Sequence, residues 1–558
     1  MATVSARVVD ALRPHVSDVF GVMGNGNAFF IDEVARSPLR FTAVRHEAGA
    51  VAAADAYFRA GGGLAVATAT YGPGFTNCLT PIAEAVQAGT PVVVVVGDAP
   101  TTGPRPWDVD QHQIAEAVGA PTFTVDGDEP FASTARAAHH AIAHRTAVIV
   151  SIPYDLAGAE AGHVEQRPAL DSPEPDAVDP AAVDLAVRRL SAARRPLILA
   201  GRGAWLAGAG PVLAELADEL GALLATTALG VNLFGDHPFD LGIAGGFAHE
   251  RSAALIEEAD AVLVVGARLN QFTMRFGDSF AEDADVLQVD IADTATNPRV
   301  DMYLKGDAAL TATALLDRVR TARDGGSSPS CWRAELTDLA DFDPRDRDPG
   351  TGLARDGRLD PRTVAVTLDR YLPANRLIVQ DGGHFSGWGP TYLHIPAPNH
   401  LLMVGTAFQT IGLGLPAAVG AARARPDATV VLCTGDGGML MALADLDTVA
   451  RTVERGVIVV YNDAAYGAEI HQYGSKGLDT GAMLIDEVDF AALATAAGAT
   501  GVVIRTVEDL DRLREWRDDG TAGVILLDCR ISVTVVAPYI EEIVAATSRT
   551  PRTVGPAA

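Results

Sequence analysis

The chain has 558 residues, 48% of them hydrophobic and 20% charged, with a formal net charge of −28 at pH 7. That length is too great for one compact domain and, at about 150 residues each, predicts three or four. The acidic balance argues against a surface for nucleic acid or anionic membrane, since both need clustered Lys and Arg. It leaves room for an anionic cofactor held through metal and backbone. The longest apolar runs, such as 91–97, fall far short of a membrane span. The first residues enter a helical pattern without the apolar core of a signal peptide. Cys78, Cys331, Cys433 and Cys529 show no metal or redox spacing and read as reduced thiols. A soluble, cytoplasmic protein is expected.

Along the chain, strand-like and helix-like segments alternate, which predicts an α/β protein with parallel sheets. Val44-Arg45-His46-Glu47-Ala48-Gly49-Ala50 ends an apolar segment and opens a helix of small residues, and 70–77 forms a loop before another helix. Residues 160–182, rich in Pro and acid, and 322–358, rich in Asp, Arg, Gly and Pro, read as linkers. They divide the chain into bodies at 1–160, 183–320 and 355–545, each of ordinary domain size. In the middle body, 195–204 and 261–268 are strands ending in glycine turns, as in Rossmann-like sheets.

The last body holds the densest signal. An apolar, β-branched run at 428–434 stops at Gly435-Asp436-Gly437, and 439–451 reads as a helix. The next parallel strand, 456–461, delivers Asn462 and Asp463 at its C-terminal end, where ligands of α/β sheets bind. Glycines at such a turn let backbone N–H groups approach phosphate, and the helix N-terminus adds partial positive charge. Asp436 would repel a bare phosphate. It makes sense with a hard cation between them, and magnesium prefers few carboxylates plus phosphate oxygens.

Taken in order with 225–230 and Asp236-His237-Pro238, these motifs resemble the thiamine-diphosphate-dependent enzymes of the acetolactate synthase, pyruvate decarboxylase and benzoylformate decarboxylase superfamily. The resemblance covers nearly the whole chain. It implies three parallel-sheet domains (pyrimidine-binding, central Rossmann-like and diphosphate-binding), with thiamine diphosphate and magnesium as cofactors.

Residue by residue, Glu47 matches the glutamate that hydrogen-bonds N1′ of the aminopyrimidine, so that the 4′-amino group can remove the C2 proton. A carboxylate shielded from water is suited to sharing that proton. Gly72 and Asn77 belong to the neighbouring cofactor loop. Asp436 and Asp463 match the side-chain magnesium ligands, with the Ala465 carbonyl as a third. Many relatives carry Asn at the Asp463 position, but a carboxylate is still a hard oxygen donor. Asn462 is expected to shape the turn. Residues 405–418 look like the segment beneath the cofactor rings, where the Gln409 carbonyl accepts from the 4′-amino group and Ile411 bends the cofactor. In 381–385, Gly383, His384 and Phe385 would add backbone donors to the diphosphate, the His384 side chain facing solvent. Gly435, Gly437, Gly438 and Tyr466 complete the cofactor set.

On the substrate side, Asn25 falls where relatives vary and faces the reacting carbon. Gln113 matches a synthase glutamine, and His112 stands where synthases place Phe. Glu469 matches an active-site glutamate of pyruvate decarboxylases and is suited to act as an acid. The paired histidines of those decarboxylases are missing, and so is the synthase tryptophan near Gln472. The pattern implies a carboligase that decarboxylates a 2-oxo acid donor, acetolactate synthase-like, with simple decarboxylation as the alternative. A flavin-linked oxidase would need FAD in the middle domain, which Arg268 and 272–275 do not establish; a non-catalytic homologue is the remaining reading. Because Glu47 and the magnesium site come from different subunits in this family, a homodimer or homotetramer is implied.

Overall fold

The computed structural model describes residues 2–162, 177–326, 328–520 and 522–548. Most of the first expected linker, 163–176, lies outside the described residues.

Three six-stranded sheets, all of parallel pairs, form the framework. In space the first runs Arg40–Ala43, Asp18–Gly21, Ala65–Ala69, Val92–Asp98, Ala147–Pro153, Thr122–Thr124. The third runs Leu401–Leu402, Arg376–Gln380, Thr429–Gly435, Arg455–Asn462, Gly523–Arg530, Thr500–Ile504, which is the same order counted from its own first strand. The middle sheet runs Met302–Lys305, Asp285–Asp290, Ala261–Val265, Pro196–Ala200, Leu223–Thr226, Asp240–Ile243. Its order reverses between its first and fourth strands, as in dinucleotide-binding folds. Central strands such as Val92–Asp98 are near-continuous apolar runs because helices cover both faces, and every residue of Val92–Asp98 is buried.

The first and third domains share one core. The helix Glu47–Arg59 lies along the helix Gly414–Ala424, and both are built from Ala and Gly where they meet. A Cβ on Gly420 would stand 1.9 Å from the Ala53 carbonyl oxygen, and one on Gly49 would stand 2.2 Å from Asp445 Oδ2. Small residues are thus a condition of the crossing. Through it the segment bearing Glu47 is packed against the domain bearing Asp436.

At the reversal point of the middle sheet, Arg202 donates to the Gly89 carbonyl at 2.8 Å and Arg268 to the Gln87 carbonyl. Both carbonyls lie at the C-terminal end of the helix Leu79–Ala88, where cations are favoured.

Two expectations are revised. The helix expected over 439–451 is two helices, Asp436–Met441 and Leu446–Thr452, separated by a 3-10 turn at Leu443–Asp445. At the break, Asp445 turns its carboxylate to the Arg45 N–H of the first domain (2.9 Å) and to the Thr448 hydroxyl (2.9 Å). The second expected linker is not a free tether. Trp332 and Leu339 are buried in the middle domain's core, and Arg347 bonds the carbonyls of Phe247 and Ala248. Apolar residues spaced among its charges gave it a face to bury. Among the described residues no helix is long and apolar enough to cross a membrane.

Candidate active site

The strands Thr429–Gly435 and Arg455–Asn462 are neighbours in parallel register, Gly435 pairing with Tyr461. Their C-terminal ends therefore place Asp436 and Asp463 side by side. Asp436 is 3% exposed; its Oδ1 accepts the Gly437 N–H at 2.8 Å and its Oδ2 the Ala465 N–H at 3.2 Å. Asn462 donates to Asp528 Oδ1 at 2.9 Å and accepts the Ala464 N–H at 3.3 Å, so its side chain is spent on the turn. Ala464, at φ 57°, supplies the sharp reversal.

Burial, and then the charge of Asp463, push the Asp436 carboxyl up to about 7. Two buried carboxylates repelling one another fit a hard divalent cation placed between them. Among the described residues no group of three or more His, Cys, Asp and Glu side chains forms a metal cage. A cation here would draw its other ligands from backbone, water or phosphate, which is magnesium's habit. The adjoining glycines are enforced by close packing. A Cβ on Gly435 would lie 2.8 Å from Phe385, one on Gly437 2.7 Å from Tyr466, and one on Gly438 2.8 Å from Asp381 Oδ2.

His384 does not face solvent. It is 3% exposed, and its Nε2 accepts the backbone N–H of Ala537 at 3.0 Å. A backbone N–H can only donate, so a neutral His384 carries its proton on Nδ1, which stands 3.7 Å from Asp463 Oδ2. The His471 ring lies 4.7 Å away; burial and then His384 hold its pKa below the usual range. Trp388, His471 and the Ala537 backbone surround the His384 ring, and the helix Pro538–Ser548 fastens this turn through its Tyr539 hydroxyl, which donates to the Gly383 carbonyl at 2.6 Å. Phe385 stacks on Tyr461, centroids 5.8 Å apart.

Asp381 was not singled out by sequence and proves central to this end of the sheet. It is 1% exposed and accepts from the N–H groups of Gly382 (2.8 Å) and Gly412 (3.0 Å) and from the Thr434 hydroxyl (3.1 Å). One carboxylate thereby ties its own turn to the loop holding Gly412 and to the end of the strand Thr429–Gly435. Burial raises its pKa despite those donors. Its position in Asp381-Gly382-Gly383 at a strand end was the available signal. The loop that follows Met403 holds Gln409 at φ 57°, outward and exposed, and leaves Ile411 half-buried outside the core.

Glu47 opens its helix, capped by His46, whose Nδ1 accepts the Ala48 N–H. Its Oε2 accepts from Asn77 at 3.0 Å, joining two of the expected residues, and it is half-buried in a single chain. Gly72 turns at φ 61°, and its N–H donates at 2.7 Å to Gln111 rather than to Gln113. Gln113 is exposed, with its N–H on Asp110, so the glutamine against this loop is the one sequence matching passed over. Gln111 is the inward position of its helix turn, a cue that motif alignment outweighed. His112 bonds Asp98 Oδ2 at 3.0 Å, and Asn25 donates to the Tyr71 hydroxyl at 2.9 Å. Glu469 is exposed at the start of the helix Gly467–Gln472.

Comparison with known families agrees with this geometry along the chain. Residues 2–117 match the N-terminal TPP binding domain of thiamine pyrophosphate enzymes, 183–315 the central domain and 381–529 the C-terminal TPP binding domain. The chain belongs to the thiamine pyrophosphate enzyme family. Among its relatives is a sulfoacetaldehyde acetyltransferase of Rhodobacter capsulatus, 30% identical over 97% of this chain and 96% of the relative. An acetolactate synthase of Arthrospira platensis is 27% identical over 94% and 93%. The acetolactate synthase large subunit of Parasynechococcus marenigrum is 29% identical over 91% and 84%. As a thiamine pyrophosphate enzyme the chain performs chemistry of the decarboxylation and carboligation type, and the three sheets are its N-terminal, central and C-terminal domains.

Proposed function

We propose that this enzyme decarboxylates a 2-oxo acid and transfers the resulting acyl carbanion equivalent to a carbonyl acceptor, in the manner of acetolactate synthase. The observation that carries the proposal is the buried Asp436 and Asp463 pair at adjacent strand ends, in one chain with a helix-start Glu47 bonded to Asn77. Bound thiamine diphosphate would supply the electron sink for loss of carbon dioxide. Asp436, Asp463 and the Ala465 carbonyl would hold magnesium against the diphosphate. Gly383, His384, Phe385, Gly435, Gly437, Gly438 and Tyr466 would border the diphosphate. Gln409 would offer its carbonyl, and Ile411 its side chain, to the rings. Glu47 would hold a proton at the pyrimidine, and Asn77 orients its carboxylate. Asn25, His112 and Gln113 are proposed to face the substrate.

We further propose a homodimer or homotetramer in which one chain's Glu47 faces its partner's magnesium site. Met23, Phe29, Met441 and Leu484 remain exposed on a single chain, which supports a covered surface.

Glu469 favours a second reading, simple decarboxylation to an aldehyde, because it stands where pyruvate decarboxylases carry an active-site glutamate suited to protonate the enamine. The names of the relatives bring sulfoacetaldehyde in as a candidate substrate beside pyruvate. The test is product analysis of purified enzyme with thiamine diphosphate, magnesium and each compound, with Glu47→Gln as control. Carbon dioxide and acetolactate from pyruvate, both lost in Glu47→Gln, are expected. Acetaldehyde alone would establish the second reading. A yellow protein would reopen a flavin-linked oxidase, and turnover unaffected by Glu47→Gln would contradict the role of that residue.

A further inference from the structure

The helix that begins with Glu47 ends in a buried ion-pair network. Arg59 donates to both oxygens of Asp55 (2.6 and 2.8 Å), to Glu84 Oε1 (2.8 Å) and to the Met403 carbonyl (2.9 Å). The second oxygen of Glu84, Oε2, accepts the backbone N–H of Phe408 at 2.7 Å. Asp55 and Glu84 are 0% exposed and Arg59 is 6% exposed. Burial works to lower the pKa of Arg59, but Asp55 and Glu84 outweigh it, so the guanidinium stays charged.

A buried charge cluster is weak evidence for stability, since apolar residues of similar volume often serve as well. This one does something apolar side chains cannot. Its two outward bonds, from Arg59 and to Glu84, both end on the backbone of one loop, 403–411, which belongs to the third domain while the cluster belongs to the first. That loop needs holding. Gly405 has φ 109° and Gln409 φ 57°, and a non-glycine residue in the left-handed region persists only where its surroundings impose it. Within the loop the Thr410 N–H returns to the Gly405 carbonyl at 2.9 Å, while Phe408 and Gln409 themselves are exposed. The Phe408 N–H, one residue before the strained position, is the point at which the first domain grips it.

We propose that Glu84 is a positioning residue for the loop 403–411. By accepting the Phe408 N–H from a carboxylate locked by Arg59, it holds Gln409 in its left-handed conformation and sets where the Gln409 carbonyl and the Ile411 side chain stand. The consequence for catalysis rests on the cofactor reading of Gln409 and Ile411. The consequence for the loop does not.

The test is hydrogen exchange of the cofactor-free chain, read together with calorimetric binding of thiamine diphosphate in magnesium. Glu84→Asp keeps the charge beside Arg59 and withdraws the acceptor from Phe408 by one methylene. Phe408→Pro removes the donor, keeps every charged residue of the cluster and its bonds to Arg59, and changes a residue that is 43% exposed, so the fold should survive it. In both variants exchange across 404–411 should rise on the order of tenfold, the scale of a lost hydrogen bond to a charged group. The strands Ala65–Ala69 and Val92–Asp98 should exchange as before, and cofactor affinity should weaken. Loop exchange unchanged in Glu84→Asp, or a rise spread equally over those strands, would overturn the proposal. Wild-type protein that bound no thiamine diphosphate would overturn the cofactor reading instead, and the exchange pattern would still decide the role of Glu84.

Discussion

Asp436 is costly to bury and lies beside a second carboxylate, so its value to the protein must lie in something other than apo stability. Replacing it by Asn removes the repulsion with Asp463 while keeping the shape and an oxygen that can still accept from Gly437 or Ala465. Asp436→Asn should leave the cofactor-free chain melting at the wild-type temperature or higher. Adding magnesium and thiamine diphosphate should raise the melting temperature of wild type and leave that of the variant unmoved, because only a binding-competent native state gains from ligand. Differential scanning calorimetry with and without both ligands checks this. At this scale the sequence identified the adjacency of Asp436 and Asp463, because strand ends in a parallel sheet are fixed by periodicity. It did not identify Asp381, Gln111 or the burial of His384. Those depend on which residues of distant segments fold over a strand end: Gly412 and Thr434 onto Asp381, Gly72 onto Gln111, and Ala537 onto His384.

Helix caps decide where the elements that frame the site begin. Asp360 caps the helix Pro361–Tyr371 and accepts from the Arg362 backbone N–H (3.0 Å) and from its guanidinium (3.0 and 2.7 Å). Burial pushes the Asp360 carboxyl up, but Arg362 outweighs it and the pKa falls below the ordinary 3.8. A carboxyl whose folded pKa is depressed contributes stability that is complete above its unfolded pKa and is lost as pH falls through the folded one. Asp360→Ala should therefore cost about 1–2 kcal/mol at neutral pH. The deficit in urea denaturation should shrink only below pH 3.8. Element existence was readable because central strands such as Val92–Asp98 and Ala261–Val265 are nearly unbroken apolar runs and the helices have Ala-rich or amphipathic faces. The break at Leu443–Asp445 was not, since nothing in 439–451 reveals that Asp445 has a backbone donor 400 residues away to satisfy.

At the scale of the molecule, the repeated strand order of the first and third sheets and the shared core between them make a scaffold with two unlike site halves. Composition and element alternation disclosed the three-sheet plan. They could not disclose that 328–346 packs on the middle sheet, because its apolar residues are sparse among charges. If each active site joins Glu47 of one chain to the magnesium end of another, the enzyme should sediment as a dimer or tetramer. Specific activity should then fall on dilution below the dissociation constant, while monomeric controls such as far-ultraviolet dichroism stay constant. Activity independent of concentration in a sedimenting monomer would exclude a shared site.

The most direct measurement is a calorimetric titration of thiamine diphosphate into the purified chain, with magnesium and after its removal by chelation, for wild type and Asp436→Asn. Saturable, stoichiometric binding that requires magnesium and is lost in the variant is the expected result. Binding that is equally strong without magnesium and in Asp436→Asn, or no binding by wild type, would contradict the assignment of Asp436 and Asp463 as the metal-bearing end of the cofactor site.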